Sequence, residues 1–296
     1  MTPSRRAILV LMAANVAWGS TFFLTKRSVE ALDAGWASWL ALRFGVGALA
    51  ALLIFLPALG ALRSVALWRD ALWIALPTAA GFALQTAGLK AVSPATSAFL
   101  TSLYVPFTPL AAWILFRSRP PKTLAVALVL ALGGLWLVTA PQGLEGLGQG
   151  ELLSAACGAA FAVQIVLIGR LSPRHDPRAL SAALGILLTL AFLLPALLAS
   201  GGELPFVHML EDPWAWGPIL YMGAGVNLFT FWAMTRFQPR LEASHAAVIY
   251  ALEPVLASLF SAVWAGERFG TAALAGAALV VAANLWAGRA QITPEG

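Results

Sequence analysis

Between Phe116 and Thr123 the chain reads Arg117-Ser118-Arg119-Pro120-Pro121-Lys122, three cations and two prolines in six residues. An apolar run lies on each side, 95–116 before it and 123–140 after it. The hydrocarbon core of a bilayer takes about 20 mostly apolar helical residues. A helix suits that medium because it satisfies its own backbone hydrogen bonds. Outward from this loop the same pattern recurs, giving runs at 7–25, 35–57, 70–89, 95–116, 123–140, 152–169, 179–199, 214–235, 243–264 and 271–288. The breaks carry turn and charge signals, as in Pro141-Gln-Gly143, Ser172-Pro-Arg-His-Asp-Pro177 and the stretch from Gly201-Gly-Glu203 through Asp212-Pro213. The expectation is an all-α polytopic membrane protein with ten transmembrane helices.

Composition agrees. Of 296 residues, 60% are hydrophobic and 10% charged, with mean hydropathy +0.83. Soluble domains carry about 25% charged residues, so this chain lacks the polar surface to cover a globule in water. The net charge of +5 does not mark a nucleic-acid partner, because the cations sit singly or in small clusters between apolar runs. A lone Cys157 excludes an intrachain disulfide and a cysteine metal site. No His-Glu-x-x-His, phosphate loop or Cys/His spacing occurs, so the reading includes no catalytic residue, no metal and no cofactor, and ATP-driven transport by this chain alone is not expected. Arg5-Arg6 and the run after it imitate a signal peptide, but the run is long and carries Asn15, Ser20 and Thr21, which fits a retained first span.

Orientation follows from the cations. With the N-terminus in the cytoplasm, the inner segments hold Arg5, Arg6, Arg63, Arg69, Arg117, Arg119, Lys122, Arg170, Arg174, Arg178, Arg236, Arg240 and Arg289. The outer loops hold only Lys26, Arg27, Lys90 and Arg268. With Arg43 inside a span, these thirteen and four account for all 18 Lys and Arg. A miscounted span would flip every later loop and spoil the bias, so both termini are expected inside.

Ten spans divide into 1–145 and 146–296, two sets of five. Five is odd, so the second set enters the membrane in the opposite sense. A shift of 148 residues places Ala98 on Ala246, Pro106 on Pro254, Thr123 on Thr271 and Leu137 on Leu285, and lays the Arg117–Lys122 loop over Ala265–Gly270. Inverted repeats are a common carrier construction, with cargo bound at the repeat interface near mid-membrane.

Several stretches resemble a known family. Ala17-Trp18-Gly19-Ser20-Thr21-Phe22, Trp39-Leu-Ala-Leu-Arg43-Phe44 and Tyr250-Ala-Leu-Glu253-Pro254-Val-Leu-Ala257, then Ala265-Gly266-Glu267-Arg268 and Ala275-Gly276, are similar to the EamA-type exporters of the drug/metabolite transporter superfamily. The chain departs from them after the fourth span, where Arg117-Ser-Arg119 replaces the frequent Gly-Glu. The resemblance implies efflux of small metabolites or drugs across a bacterial inner (cytoplasmic) membrane, with some members exporting amino acids, as the YddG-type aromatic-amino-acid exporters do. It also implies a basket of helices around a central cavity, with spans five and ten peripheral at a homodimer contact.

Polar residues inside spans mark candidate function, because a mid-bilayer charge costs about 2.5–3.5 kcal/mol. Arg43 and Glu253 both fall near mid-depth at 1.5 Å per residue. They form a mutual ion pair, or Glu253 faces the cavity as a proton or ammonium site, or Arg43 binds a cargo carboxylate. Arg43 is assigned a structural charge. Gln85, Gln164 and Asn227 are the amides placed in the cavity, while Asn15, His245 and Asn284 fit interhelical hydrogen bonding or a helix end. Trp18, Phe22, Phe82, Tyr104, Phe231, Tyr250 and Glu253 complete the proposed cavity, whose aromatic wall suits aromatic or amphipathic cargo. Trp36, Trp39, Trp68, Trp73, Trp214 and Trp216 fit an interfacial belt. Pro77, Pro106, Pro109 and Pro254 interrupt helices, and the matched Pro106 and Pro254 mark hinges or kinks. The functional reading is an exporter of amino acids or related small metabolites, working by alternating access in the lipid bilayer. A multidrug or lipophilic-cation efflux carrier is the alternative, and an intramembrane enzyme fits less well because the polar groups are scattered in depth.

Overall fold

A computed structural model describes residues 3–31, 35–118, 124–139, 148–200, 213–241 and 243–289, and every regular element among them is a helix. The loops at Pro141-Gln-Gly143 and Gly201–Asp212, the expected boundary at residue 145 and the side chains of Trp214, His245 and Asn284 lie outside what it describes.

The first half contains α1 (Pro3–Ala31), α2 (Trp36–Ile54), α3 (Val65–Leu89), α4 (Pro94–Thr101), α5 (Tyr104–Phe116) and α6 (Leu124–Thr139). The second contains α7 (Gln149–Leu171), α8 (Pro177–Ala199), α9 (Pro213–Leu220), a π-helical segment (Tyr221–Asn227), α10 (Leu228–Phe237), α11 (Ala243–Tyr250), α12 (Glu253–Trp264) and α13 (Thr271–Arg289). Among the described residues, six helical stretches are long and apolar enough to cross a membrane: Arg5–Glu30, Trp36–Ile54, Val65–Leu89, Pro94–Phe116, Gln149–Arg174 and Pro177–Ala199.

The helix starts follow local chemistry. Ser64 caps α3 by accepting from the Leu67 N–H, Ser93 caps α4 by accepting from Thr96, and Asp176 caps α8 by accepting from Arg178. Pro94 and Pro177 occupy the first helical turn, where the absent N–H costs nothing. Helix α5 stops at Arg117, which takes the left-handed conformation at φ 58°.

The apolar runs at 95–116 and 243–264 are each broken near mid-length. One breaks at Ser102–Leu103, between α4 and α5, and the other at Ala251–Leu252, between α11 and α12. Pro106 and Pro254 lie just beyond these breaks. Pro77 and Pro109 do not interrupt, contrary to expectation: α3 and α5 run through them. Their neighbours keep the turn hydrogen-bonded, with the Thr78 hydroxyl donating to Ile74 O at 2.6 Å and that of Thr108 to Tyr104 O at 2.6 Å.

Packing joins the halves through small residues. Helices α3 and α7 run antiparallel. Asp70 meets His175 at one end, and at the other a Cβ on Gly88 would lie 2.6 Å from Ser154 Oγ. Helix α2 crosses α8, with Gly185 against Ala48 and Trp36 against Phe192. Helix α6 holds α13, where a Cβ on Gly134 would come within 2.7 Å of Gly276 O. Such close approach is how helices associate in lipid, where burying apolar surface gains little. Helix α1 packs between α12 and α10.

Trp39 does not belong to an interfacial belt. It is fully buried, with Arg43 over its ring, because α2 needs an aromatic wall around that cation. Trp73 is exposed, and Trp68 donates its indole N–H to Leu62 O at 2.7 Å near the start of α3.

Candidate functional site

The central cavity lies between α1, α3, α5, α7, α10 and the α11–α12 break. Its wall is Trp18, Thr21, Phe82, Gln85, Tyr104, Phe161, Gln164, Ile165, Phe231, Met234, Tyr250 and Glu253. Four helices contribute an aromatic residue and a second side chain three positions on: Trp18 with Thr21, Phe82 with Gln85, Phe161 with Gln164, and Phe231 with Met234; Tyr250 and Glu253 have the same spacing across the α11–α12 break. Residues three apart share a helix face, so each of these four helices presents one ring and one further side chain to the same space.

Tyr104 and Glu253 sit where α5 and α12 begin, so both broken helices aim their starts at the cavity. Paired breaks at matching positions of two halves are the best structural pointer to a carrier's binding site. Glu253 also occupies the first turn of α12, where the positive end of the helix dipole favours a carboxylate. Its Oε2 accepts from the Tyr104 hydroxyl at 3.2 Å. Tyr250 donates to Gln238 Oε1 at 3.0 Å, and Gln238 in turn donates to Ile165 O at 2.7 Å, which fixes the ring that Trp18 meets edge-on at 5.4 Å. Among the described residues no side-chain hydrogen bond engages Gln85 or Gln164, so both amides are available within the cavity.

Eight of the residues proposed from sequence therefore meet in one space: Trp18, Phe82, Gln85, Tyr104, Gln164, Phe231, Tyr250 and Glu253. Phe22 and Asn227 do not join them. Phe22 packs in an apolar cluster with Leu89, Ala98 and Ala257, because its helix face turns toward α4 and α12. Asn227 ends the π segment and accepts from Arg43, at 2.9 Å from Nη2 and 3.3 Å from Nε. Thr21, Phe161, Ile165 and Met234 complete the wall. Phe161 is among the aromatics that a reading of the spans offers for the cavity, and the three-residue spacing already present at Phe82 and Gln85 is the signal that brings in Thr21 beside Trp18.

Arg43 has a separate shell. Its guanidinium carbon lies 5.5 Å from the Trp39 ring, 5.5 Å from Phe44 and 5.1 Å from Phe82. Cation–π contacts and the Asn227 carbonyl thus replace the water it has lost. Among the described residues no ion pair joins Arg43 to Glu253; each has its own partner.

The cavity encloses about 40 Å³, room for a few waters. A larger vestibule of about 580 Å³ lies toward the end of α1 and is lined by residues including Ser20, Lys26, Glu30, Tyr221 and Trp264. Ser20 lines the vestibule and its neighbour Thr21 the cavity, so the two spaces lie against different faces of the same stretch of α1. There the Ser20 and Tyr221 hydroxyls lie 3.1 Å apart. The opposite end of the bundle is tied by buried Asp70, which meets Arg69 at 3.1 Å, Arg174 at 3.6 Å and His175 at 2.9 Å.

A helical membrane bundle with paired broken helices around a buried cavity has the construction of a transporter. The EamA-like transporter family matches residues 5–140 and again 148–288, and the chain belongs to that family. It is 26% identical over 284 residues to an uncharacterized transporter of Archaeoglobus fulgidus, covering 94% of this chain and 84% of that one. It is also 26% identical over 175 residues to the uncharacterized transporter YwfM of Bacillus subtilis, covering 57% of this chain and 55% of the relative. A solved crystal structure shares the fold with TM-score 0.72 at 20% identity, over 98% of this chain and 99% of that one.

Proposed function

We propose that this transporter moves small amine-bearing organic solutes through the central cavity, with Glu253 as the anchor for the amine. The observation that carries the reading is the charge of the wall: Glu253 is the one ionisable carboxylate or cation among the cavity residues, and aromatic rings surround it. A carboxylate buried in apolar surroundings is costly unless something neutralises it, and a cationic cargo or a proton does so. Aromatic faces add cation–π attraction for an ammonium group. Among the described residues Arg43 is the one fully buried lysine or arginine, and Asn227 engages it outside the cavity wall. A cargo carboxylate therefore lacks a cationic partner there, which favours amines and lipophilic cations over zwitterionic amino acids. The amino-acid reading retains one supporting observation: α5 and α12 both begin at the cavity, and helix starts favour anionic groups.

The mechanism proposed is alternating access. The halves, 1–145 and 146–296, are inverted five-span repeats with both termini cytoplasmic, in a bacterial inner membrane. The vestibule then faces outward and the Asp70 cluster closes the inner end. Typical ligand pockets are about 300–1,000 Å³, so a cavity of about 40 Å³ must widen before cargo enters. The breaks beside Pro106 and Pro254 are the proposed hinges, and the faces of α6 and α13 away from the bundle are the proposed homodimer contact.

The test is uptake by purified protein in liposomes, comparing labelled tryptamine with labelled tryptophan, with and without a pH gradient. Saturable tryptamine uptake that exceeds tryptophan uptake supports the reading. Preference for tryptophan transfers the anchor to the helix starts and restores the amino-acid exporter. Uptake of neither, nor of a lipophilic cation, overturns the cavity assignment.

A further inference from the structure

Gly81 lies inside α3, one residue before Phe82 of the cavity wall. Glycine in a helix interior is less favourable than alanine, so a packing reason offsets its cost. A Cβ at Gly81 would collide with Phe161 Cε1 and lie 2.7 Å from Cδ1 and 3.0 Å from Cζ. These three nearest atoms belong to one ring. The Phe161 ring, carried by α7, therefore rests on the α3 backbone in the space that any side chain at 81 would fill.

The other rings of the wall are held by neighbours of their own. Tyr104 donates to Glu253 and Tyr250 to Gln238. Trp18 meets Tyr250 edge-on at 5.4 Å, Phe82 meets Phe44 edge-on at 5.0 Å, and Phe231 lies parallel to Phe44 at 6.1 Å. Among the described residues the one ring partner of Phe161 is Phe82, edge-on at 5.3 Å and 76°. Its seat on Gly81 thus fixes where it stands. Phe82 and Phe161 form a corner of the wall, with Gln85 and Gln164 one turn further along their helices.

Protein interiors are close-packed, so a ring pushed off Gly81 moves into the open space it already borders, which is the cavity. In the other direction the α3 backbone blocks it.

We infer that Gly81 and Phe161 together set the size of the cargo, on the reading of the central cavity as the cargo site. Gly81 is a recess that seats the Phe161 ring against α3 and leaves the corner free for a flat aryl group, which packs on aromatic edges and faces. Neither residue touches the anchor at Glu253, so size selection holds whether or not the cargo bears an amine.

The width of the corner can be read without cargo. Cys157 is the one cysteine and is buried. In a Cys157→Ala background, Gln85→Cys places a thiol beside the corner, and its rates of reaction with methyl and benzyl methanethiosulfonate are followed by mass spectrometry of the purified full-length protein. Gly81→Ala is expected to lower the benzyl-to-methyl rate ratio at least about tenfold, the scale on which a tight apolar pocket discriminates one methylene. Phe161→Ala is expected to raise the ratio. In the double variant Gly81→Ala is expected to have no effect, because the ring it displaces is gone. A role of Gly81 in helix packing alone would not produce that coupling. An unchanged ratio in Gly81→Ala, an equal fall in the Phe161→Ala background, or a thiol that reacts with neither reagent overturns the inference. If Gly81→Ala does not fold, recovery of folding in the double variant shows the same coupling, and failure of both variants to fold overturns it. Tryptamine uptake separates the two readings: coupling without uptake removes the amine anchor and keeps the size filter, and uptake without coupling does the reverse.

Discussion

Arg43 and Glu253 are both charges buried in the membrane-spanning bundle, at 1% and 8% exposure, and the protein treats them in opposite ways. Arg43 is enclosed by Trp39, Phe44 and Phe82 and held by Asn227. Glu253 has one tyrosine donor and otherwise faces open space. The cost of burying a charge is similar at both places, but at Arg43 the protein meets it internally, whereas at Glu253 part is left for something from outside. Under the proposed function, the satisfied charge serves as scaffold and the unsatisfied one as the binding group. Composition does not distinguish them; the neighbours do.

The largest effect expected from breaking that contrast is at Arg43. Arg43→Ala leaves Asn227 and three rings around an empty space, and should cost about 3–5 kcal/mol, seen as lost monodisperse protein in detergent or a collapsed melting temperature. Glu253→Gln should do the reverse. Its melting temperature stays close to wild type while uptake of an amine falls by at least about 30-fold, the loss of a charged pair in a desolvated site. If Glu253→Gln unfolds the protein instead, both charges are scaffold and the contrast fails.

A smaller effect sharpens the cavity side. Tyr104→Phe removes the one donor to Glu253, and should change amine affinity about tenfold in liposome uptake with little change in stability. Gly158→Ala tests the break that positions Tyr104, because a Cβ there would lie 2.8 Å from Thr101 O and 3.1 Å from Tyr104 N. Overpacking of this kind costs about 1–3 kcal/mol, to be read as a lower melting temperature.

Asp176 sets the lower limit, as a charge at a helix start outside the spans. Hydrogen bonding to Arg178 holds its carboxyl below the usual carboxylate range. A depressed folded value contributes stability above the unfolded carboxyl pKa, near 3.9, and that contribution fades as pH falls through the folded value. Asp176→Asn retains the cap and should cost under about 1 kcal/mol, a difference from wild type that shrinks in melts run below about pH 4.

The bundle was legible because lipid imposes simple rules on a chain. The helices that flank Arg117–Lys122 were legible, since charge and apolar length set the cost of each position, while residues 119–123 lie outside the described part. Most of the cavity wall was legible for a similar reason: a polar or aromatic side chain inside a span needs a partner. Phe22 shows the limit, because an aromatic in the right helix packs with Leu89 and Ala257 once the helix is rotated into place. Trp39 shows it too, reading as an interface residue by its position near a helix end and serving as a wall around Arg43. The π segment at Tyr221–Asn227 left no mark in the apolar pattern, yet it carries Asn227 to Arg43.

The sequence by itself determined that this is a polytopic helical membrane protein built as a repeat, because hydropathy, loop charge and a fixed offset are properties of the chain alone. Only the tertiary structure decided that Arg43 goes to Asn227 and Glu253 to Tyr104, that eight proposed residues share one cavity while Phe22 and Asn227 lie apart, and that the Phe161 ring rests on Gly81. Those outcomes depend on the rotation and crossing of helices, which small residues such as Gly81, Gly134 and Gly158 set by how closely they let backbones and rings approach.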